Sequence, residues 1–152
     1  MTERAIRVGT RAVIFNKDNE ILVAHCLNPE NDFYFLPGGG VWFHEKLDDC
    51  LVREVKEETG LDVKAERLLW VRDFVEGFPN EHGIEMFFLA TIVGGKFRTG
   101  PLYDVEWLEF SFMDVEKLER IRFYPTSFVG KLKKLRDNRD WSERNLYMKS
   151  AP

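Results

Sequence analysis

Leu36-Pro37-Gly38-Gly39-Gly40-Val41-Trp42-Phe43-His44-Glu45-Lys46-Leu47-Asp48-Asp49-Cys50-Leu51-Val52-Arg53-Glu54-Val55-Lys56-Glu57-Glu58-Thr59-Gly60-Leu61 runs from a proline-glycine segment into one with helical periodicity. Pro37 to Gly40 is a break that no regular element would tolerate, so a loop with close backbone approach is expected there. Lys46 to Thr59 predicts a helix, with Asp48 and Asp49 in its first turn and Gly60 in the position of a C-terminal stop. At about 100° per residue, Leu47, Cys50 and Leu51 share one face. Glu54, Glu57 and Glu58 continue along that face, where an amphipathic helix would place apolar side chains.

Three carboxylates packed together repel one another and take up protons unless a cation compensates them. Oxygen ligands from adjacent helical turns suit a hard divalent ion such as Mg²⁺ or Mn²⁺, often shared with phosphate oxygens. A solvated acidic helix end flanked by Arg53 and Lys56 accounts for the Glu54, Glu57, Glu58 string alone better than a metal does. The neighbouring loop shifts the balance toward the metal. Gly38, Gly39 and Gly40 allow positive φ and close approach, so their N–H and C=O groups can meet a phosphate or a metal ion.

These residues resemble the signature box of the Nudix hydrolases, G-x5-E-x7-R-E-U-x-E-E-x-G-U with U aliphatic. Gly39, Glu45, Arg53, Glu54, Val55, Glu57, Glu58, Gly60 and Leu61 fill every specified position. Leu36-Pro37 before the glycines is also similar to the family, as is Trp107 ahead of a short helix. The resemblance implies an α/β fold, an α/β/α sandwich with a mixed sheet and a loop-helix-loop catalytic segment. It also implies hydrolysis of nucleoside diphosphates linked to a second group, using Mg²⁺ or Mn²⁺. Carried over by position, Glu54, Glu57 and Glu58 would be metal ligands, with the carbonyl of Gly38 or Gly39 a further one. Glu57 is the first candidate for the base that accepts a proton from the attacking water. Arg53 and Glu45 would support them, since an arginine beside acids can hold a carboxylate by paired hydrogen bonds. Glu81, Glu85, Asp104 and Glu106 are the candidates for a base or ligand outside the box.

Between the glycines and Glu45, Trp42 stands where many relatives have glutamate and His44 where they have glycine. Trp42 and Phe43 either stack on a base and wall the pocket or pack the loop onto the fold. His44 either contacts a phosphate or is structural, and His25 and His82 take the structural reading. Gly38, Gly40, Trp42, His44, Asp104 and Glu106 form the candidate substrate set. Pro79 lies roughly where some ADP-ribose hydrolysing relatives carry a proline.

Elsewhere, Ala5 to Phe15 and Ile21 to Ala24, joined by turn chemistry at Asn16 to Asn19, predict a β-hairpin. Further strands are expected at Phe33–Leu36, Val63–Phe74, Ile84–Val93 and Val105–Phe110, and a helix at Thr126–Leu135. Strands on either side of one helix suggest a mixed sheet with helices packed on it. Residues 138–152 are polar and without assignment, a C-terminal extension to what otherwise reads as one domain over 1–152.

The chain has 152 residues, enough to bury a core unaided, and 44% hydrophobic with 32% charged residues is the profile of a globular protein. Cys26 and Cys50 lack metal-site spacing and suggest buried thiols in a reducing compartment. Met1 to Gly9 has no apolar run for a signal peptide, and no stretch approaches a membrane span, so the expected location is cytoplasmic. A net charge of −4 argues against a duplex nucleic-acid partner. Lys131, Lys133, Lys134, Arg136 and Arg139 are expected on the solvated face of a helix whose other side carries Phe128, Leu132 and Leu135. An RNA-binding role would need that cluster beside the acids. The partner expected is a small nucleotide substrate, with a homodimer from the resemblance. A non-catalytic nucleotide sensor of the same fold is the alternative; the complete acid set and a length that leaves no room for a second domain argue against it.

Overall fold

The computed structural model describes residues 5–75, 82–100, 102, 107–138 and 146–149. In chain order the elements are β1 (Arg7–Val13), β2 (Ile21–Cys26), β3 (Phe33–Phe35), β4 (Gly38–Gly40), α1 (Leu47–Thr59), β5 (Leu61–Phe74), β6 (Gly83–Gly95), β7 (Leu108–Met113), 3₁₀ turns at Val115–Glu119 and Thr126–Phe128, α2 (Val129–Asn138) and β8 (Tyr147–Lys149). A five-stranded sheet in the order β4-β1-β6-β5-β8 is mixed: β1 runs parallel to β6, and β5 runs antiparallel to it. A second, antiparallel sheet has the order β3-β2-β7.

Alternation along β1 and β2 explains how helices come to cover both faces. Val13, Ile21 and Val23 pack with Trp70, Phe87 and the α2 residues Leu132 and Leu135. Ala12, Ile14, Leu22 and Ala24 pack with Leu51 and Val55 of α1. Successive strand residues point to opposite faces, so the end of β1 into Ile14 and the start of β2 are buried on both sides, and Ala12–Ile14 and Ile21–Ala24 are continuous apolar runs. The result is an α/β/α layering with α1 over one core and α2 over the other.

The expected β1–β2 hairpin is corrected. The turn forms, with Asn16 N–H donating to the Glu20 carbonyl at 2.9 Å and Phe15 bridging Ile21. Beyond it the strands part: β1 joins β4 and β6, and β2 joins β3 and β7. Strands with two buried faces satisfy their backbones in separate sheets, a possibility that local pattern does not distinguish from a hairpin. The glycine break is corrected as well, because Gly38–Gly40 is the edge strand β4, paired with Gly9–Arg11. The expected strand at Val105–Phe110 lies at Leu108–Met113, so a strand rather than a short helix follows Trp107. From the C-terminal extension, Tyr147–Lys149 adds a parallel edge strand to β5.

The helix expected from Thr126 is present as a 3₁₀ turn running into α2, with Phe128, Leu132 and Leu135 buried. Its basic face is largely compensated: Lys133 pairs with Glu119 at 2.6 Å, and Arg136 pairs with Asp114, Glu116 and Asp137. Arg139 lies outside the described residues. No described helix is long and apolar enough to cross a membrane.

Candidate active site

Local chemistry starts and stops α1 where the sequence indicates. Asp48 and Asp49 complement the positive end of the helix dipole. Gly60 closes the helix in the left-handed region at φ 76°, donating its N–H to the Lys56 carbonyl at 2.9 Å. A side chain there would also strike the Lys96 carbonyl. The buried side of α1 is Cys50, Leu51, Val55 and Thr59. Glu54 and Glu58 lie alongside that line, whereas the Glu57 side chain is 54% exposed. The expectation that all three acids face inward therefore holds for two of them; Glu57 is turned to the rim.

Against this face runs β4. Gly38 N–H donates to Glu58 Oε2 at 2.9 Å. A Cβ on Gly39 would collide with the Glu54 carboxylate, and one on Gly38, at φ 142°, with the backbone of Thr10 and Arg11. A Cβ on Gly40 would meet nothing within 4 Å. Two of the three glycines are thus required by contact, one against strand β1 and one against the acid helix. The Gly39 carbonyl, in the β4 strand paired with β1, also lies 3.8 Å from the weak thiol donor Cys50 Sγ.

Arg53 organises the acids. Its Nε and Nη2 fork onto Glu45 at 2.6 and 2.9 Å, Nη1 reaches Glu54 at 2.8 Å and Glu57 at 3.2 Å, and Nη2 also donates to the Gly40 carbonyl at 3.1 Å. That fork holds the Glu45 carboxyl down to about 2 and raises Arg53 above its ordinary value. Glu58 behaves differently. Burial pushes its pKa up to about 8, against the opposing pull of Arg11 and the Gly38 N–H, with Glu54 and Glu57 adding repulsion. Among the described residues no three acidic, histidine or cysteine side chains converge on one point: Glu54 and Glu57 lean onto Arg53, and Glu58 onto Gly38. The donor set itself, carboxylates and a glycine carbonyl, is that of a hard divalent cation.

Comparison with known proteins agrees with this arrangement. The NUDIX domain family model matches residues 5–130. The chain belongs to the NUDIX domain family. It is 35% identical over 111 residues to the ADP-ribose pyrophosphatase of Methanocaldococcus jannaschii, covering 72% of this chain and 63% of that protein. It is 33% identical over 99 residues to the NAD-capped RNA hydrolase NudC of Vibrio atlanticus, covering 64% of this chain and 35% of that one. The chain thus spans less than two thirds of the length of either curated relative. The crystal structure of an ADP-ribose pyrophosphatase from Streptococcus suis superposes with a TM-score of 0.67 at 26% identity, over 96% of this chain and 100% of the other.

Around the NUDIX helix the remaining candidates separate. Trp42 is 61% exposed, with the Arg53 guanidinium 3.6 Å above its ring, and Phe43 is 92% exposed. Neither packs the loop into the core. His44 is exposed with φ 66° and its ring meets Phe43 edge-on. His25 pairs with Asp32 at 2.6 Å and stacks on Tyr34, and His82 lies 3.7 Å from Asp73. Cys50 is buried, which pushes its thiol up, and Cys26 is partly buried; both are free. Asp104, Glu106, Glu81 and Pro79 lie outside the described residues.

Glu85, named as a candidate base or ligand outside the box, is held by two arginines. Arg11 Nε donates to it at 2.8 Å and Arg72 Nη1 at 3.4 Å. Arg11 also donates to the carbonyls of Leu36 and Gly38, at 3.3 Å each. Arg11, Arg72, Glu85 and Leu36, with Phe33, Phe35 and Tyr124, line a cavity of about 250 Å³ beside β4. The sequence reading missed Arg11, Arg72 and the three rings. A larger cavity of about 530 Å³, between the β1–β2 turn, β6 and α2, contains no box residue.

Proposed function

We propose that the chain is a metal-dependent hydrolase of a phosphate anhydride, cleaving the diphosphate bond of a nucleoside diphosphate linked to a second group. The observation that carries this reading is the packing of an intact box onto a glycine strand, with Gly38 N–H on Glu58 and room at Gly39 only for the Glu54 carboxylate. Glu54, Glu57, Glu58 and the Gly39 carbonyl would hold Mg²⁺ or Mn²⁺. Bound there, the ion supplies Lewis acidity toward phosphorus and acidifies a water. Attack of water on phosphorus would form a new P–O bond and break the anhydride P–O bond, with the second phosphate leaving. Glu57, the most exposed of the three acids, accepts the water's proton. Arg53 positions Glu54 and Glu57, and Glu45 fixes Arg53 in turn.

Similarity to two ADP-ribose pyrophosphatases favours ADP-ribose over nucleotide sugars, dinucleoside polyphosphates and nucleoside triphosphates. The resemblance further suggests a homodimer, which light scattering of the purified chain would test. Trp42, exposed over Arg53 at the mouth of the acid site, is a candidate for touching substrate, and the Gly40 N–H is a candidate for phosphate contact, that of Gly38 being taken by Glu58.

The test is release of nucleotide or phosphate from a panel of these compounds, with Mg²⁺, with Mn²⁺ and with chelator, in the native chain and in Glu57→Gln. Metal-dependent turnover of one class, largely abolished in Glu57→Gln, is expected. Tight binding of one compound with turnover of none would sink the hydrolase and favour a nucleotide sensor.

A further inference from the structure

The cavity beside β4 contains an acid that the helix does not use. Glu85 lies on β6 with its side chain 14% exposed, Oε1 accepting from Arg11 and Oε2 from Arg72. An ionised carboxylate has about four acceptor sites. One arginine on each oxygen leaves capacity on both and fixes the direction in which it points. On the same cavity are three rings: Phe33 lies 5.5 Å from Phe35 and 5.7 Å from Tyr124 between centroids. Aromatic surfaces of this kind suit a planar π system. At about 250 Å³ the space is smaller than the roughly 300 to 1,000 Å³ that takes a whole ligand, so it fits one end of a longer substrate. Arg11 supplies the connection, because the guanidinium that holds Glu85 also fastens the Leu36 and Gly38 carbonyls at the acid site.

We propose that this cavity receives the nucleobase of the substrate and that Glu85 is its specificity residue, accepting hydrogen bonds from the amino group of a purine such as adenine. The inference rests on the diphosphate-hydrolase reading above and adds which end of the substrate lies where. A keto group in place of the amino group would set acceptor against acceptor, and hypoxanthine could bond Glu85 only by shifting to present its N1–H, so adenine is preferred. Tyr124, 43% exposed, closes the outer wall and contributes affinity without touching the anhydride.

Steady-state kinetics with ADP-ribose and its hypoxanthine counterpart test this in the native chain, Glu85→Gln and Tyr124→Ala. In the native chain, KM for the hypoxanthine compound should be about tenfold higher. Glu85→Gln, whose amide both donates and accepts, should shrink that ratio to about twofold or less. Tyr124→Ala should raise KM for both compounds by about tenfold with kcat kept. Equal KM values in the native chain, or an unchanged ratio in Glu85→Gln, would overturn the proposal while leaving the hydrolase intact. Should the native chain turn over neither compound, the hydrolase reading fails first, and calorimetric binding of AMP against IMP then decides the cavity alone. Tighter binding of AMP supports it, and equal affinity overturns it.

Discussion

The two halves of the site are built in different ways. The acid helix and glycine strand come from one contiguous stretch, Leu36 to Leu61. The neighbouring cavity is assembled from β1, β3, β5, β6 and the turn at Tyr124. In the first half the charges are gathered by helical spacing and one arginine. In the second, Glu85 is fixed by arginines that stand 74 and 13 residues away. Chemistry common to a family is encoded locally here, and the discriminating surface is left to tertiary packing, where it can vary without disturbing α1.

The contrast can be broken first at Arg53. Arg53→Ala leaves Glu45 and Glu54 without the fork that orients them, so turnover should fall by about 10- to 100-fold with the fold retained. Arg53→Lys should restore little, because an ammonium cannot reproduce the fork. Unchanged kcat in Arg53→Ala would show that the acids orient themselves.

The glycine strand sharpens the comparison, because its three residues should answer differently. Gly38→Ala forces a strained φ and a backbone clash, and should cost roughly 2 to 4 kcal/mol by denaturant unfolding. Gly39→Ala pushes on a side chain that can turn away, so activity should fall more than stability. Gly40→Ala meets open space and should lie within about 0.5 kcal/mol of the native chain. Equal losses at all three positions would show that the strand tolerates or rejects side chains as a unit.

Smallest in effect is a pH response outside both halves. Arg136 holds the Glu116 carboxyl down to about 2 from an ordinary 4.5. A depressed carboxylate stabilises the fold fully above 4.5, and that contribution is lost as pH falls toward 2. Glu116 is exposed, so the effect is small: Glu116→Gln should lower Tm slightly at pH 7 and leave it unchanged near pH 2. A difference that persists at the acid end would point to lost packing instead.

How much of this was legible in the sequence follows the same division. Helix α1, its stop at Gly60 and the grouping of Glu54, Glu57 and Glu58 follow from spacing, and Glu45 and Arg53 from the resemblance of the box, because each depends on residues within a few turns. The β1–β2 pairing did not follow, since a turn at Asn16 suits a hairpin and a crossing between sheets equally. Strand β4 was hidden because glycines signal a loop until a partner strand such as β1 is known. The outward turn of Glu57 depends on where β4 and Arg53 sit beside the helix, which a wheel does not contain. Arg11 and Arg72 were invisible as a pair, because only the β1–β6 and β5–β6 registers bring them to Glu85.

The central claim is that α1 and β4 together hold a divalent cation, and Mn²⁺ titration followed by electron paramagnetic resonance tests it without any substrate. The native chain should remove free Mn²⁺ from the spectrum at a defined stoichiometry, and Glu54→Gln with Glu58→Gln should abolish that uptake at an unchanged Tm. Uptake that survives in the double variant, or none in the native chain, would contradict the account.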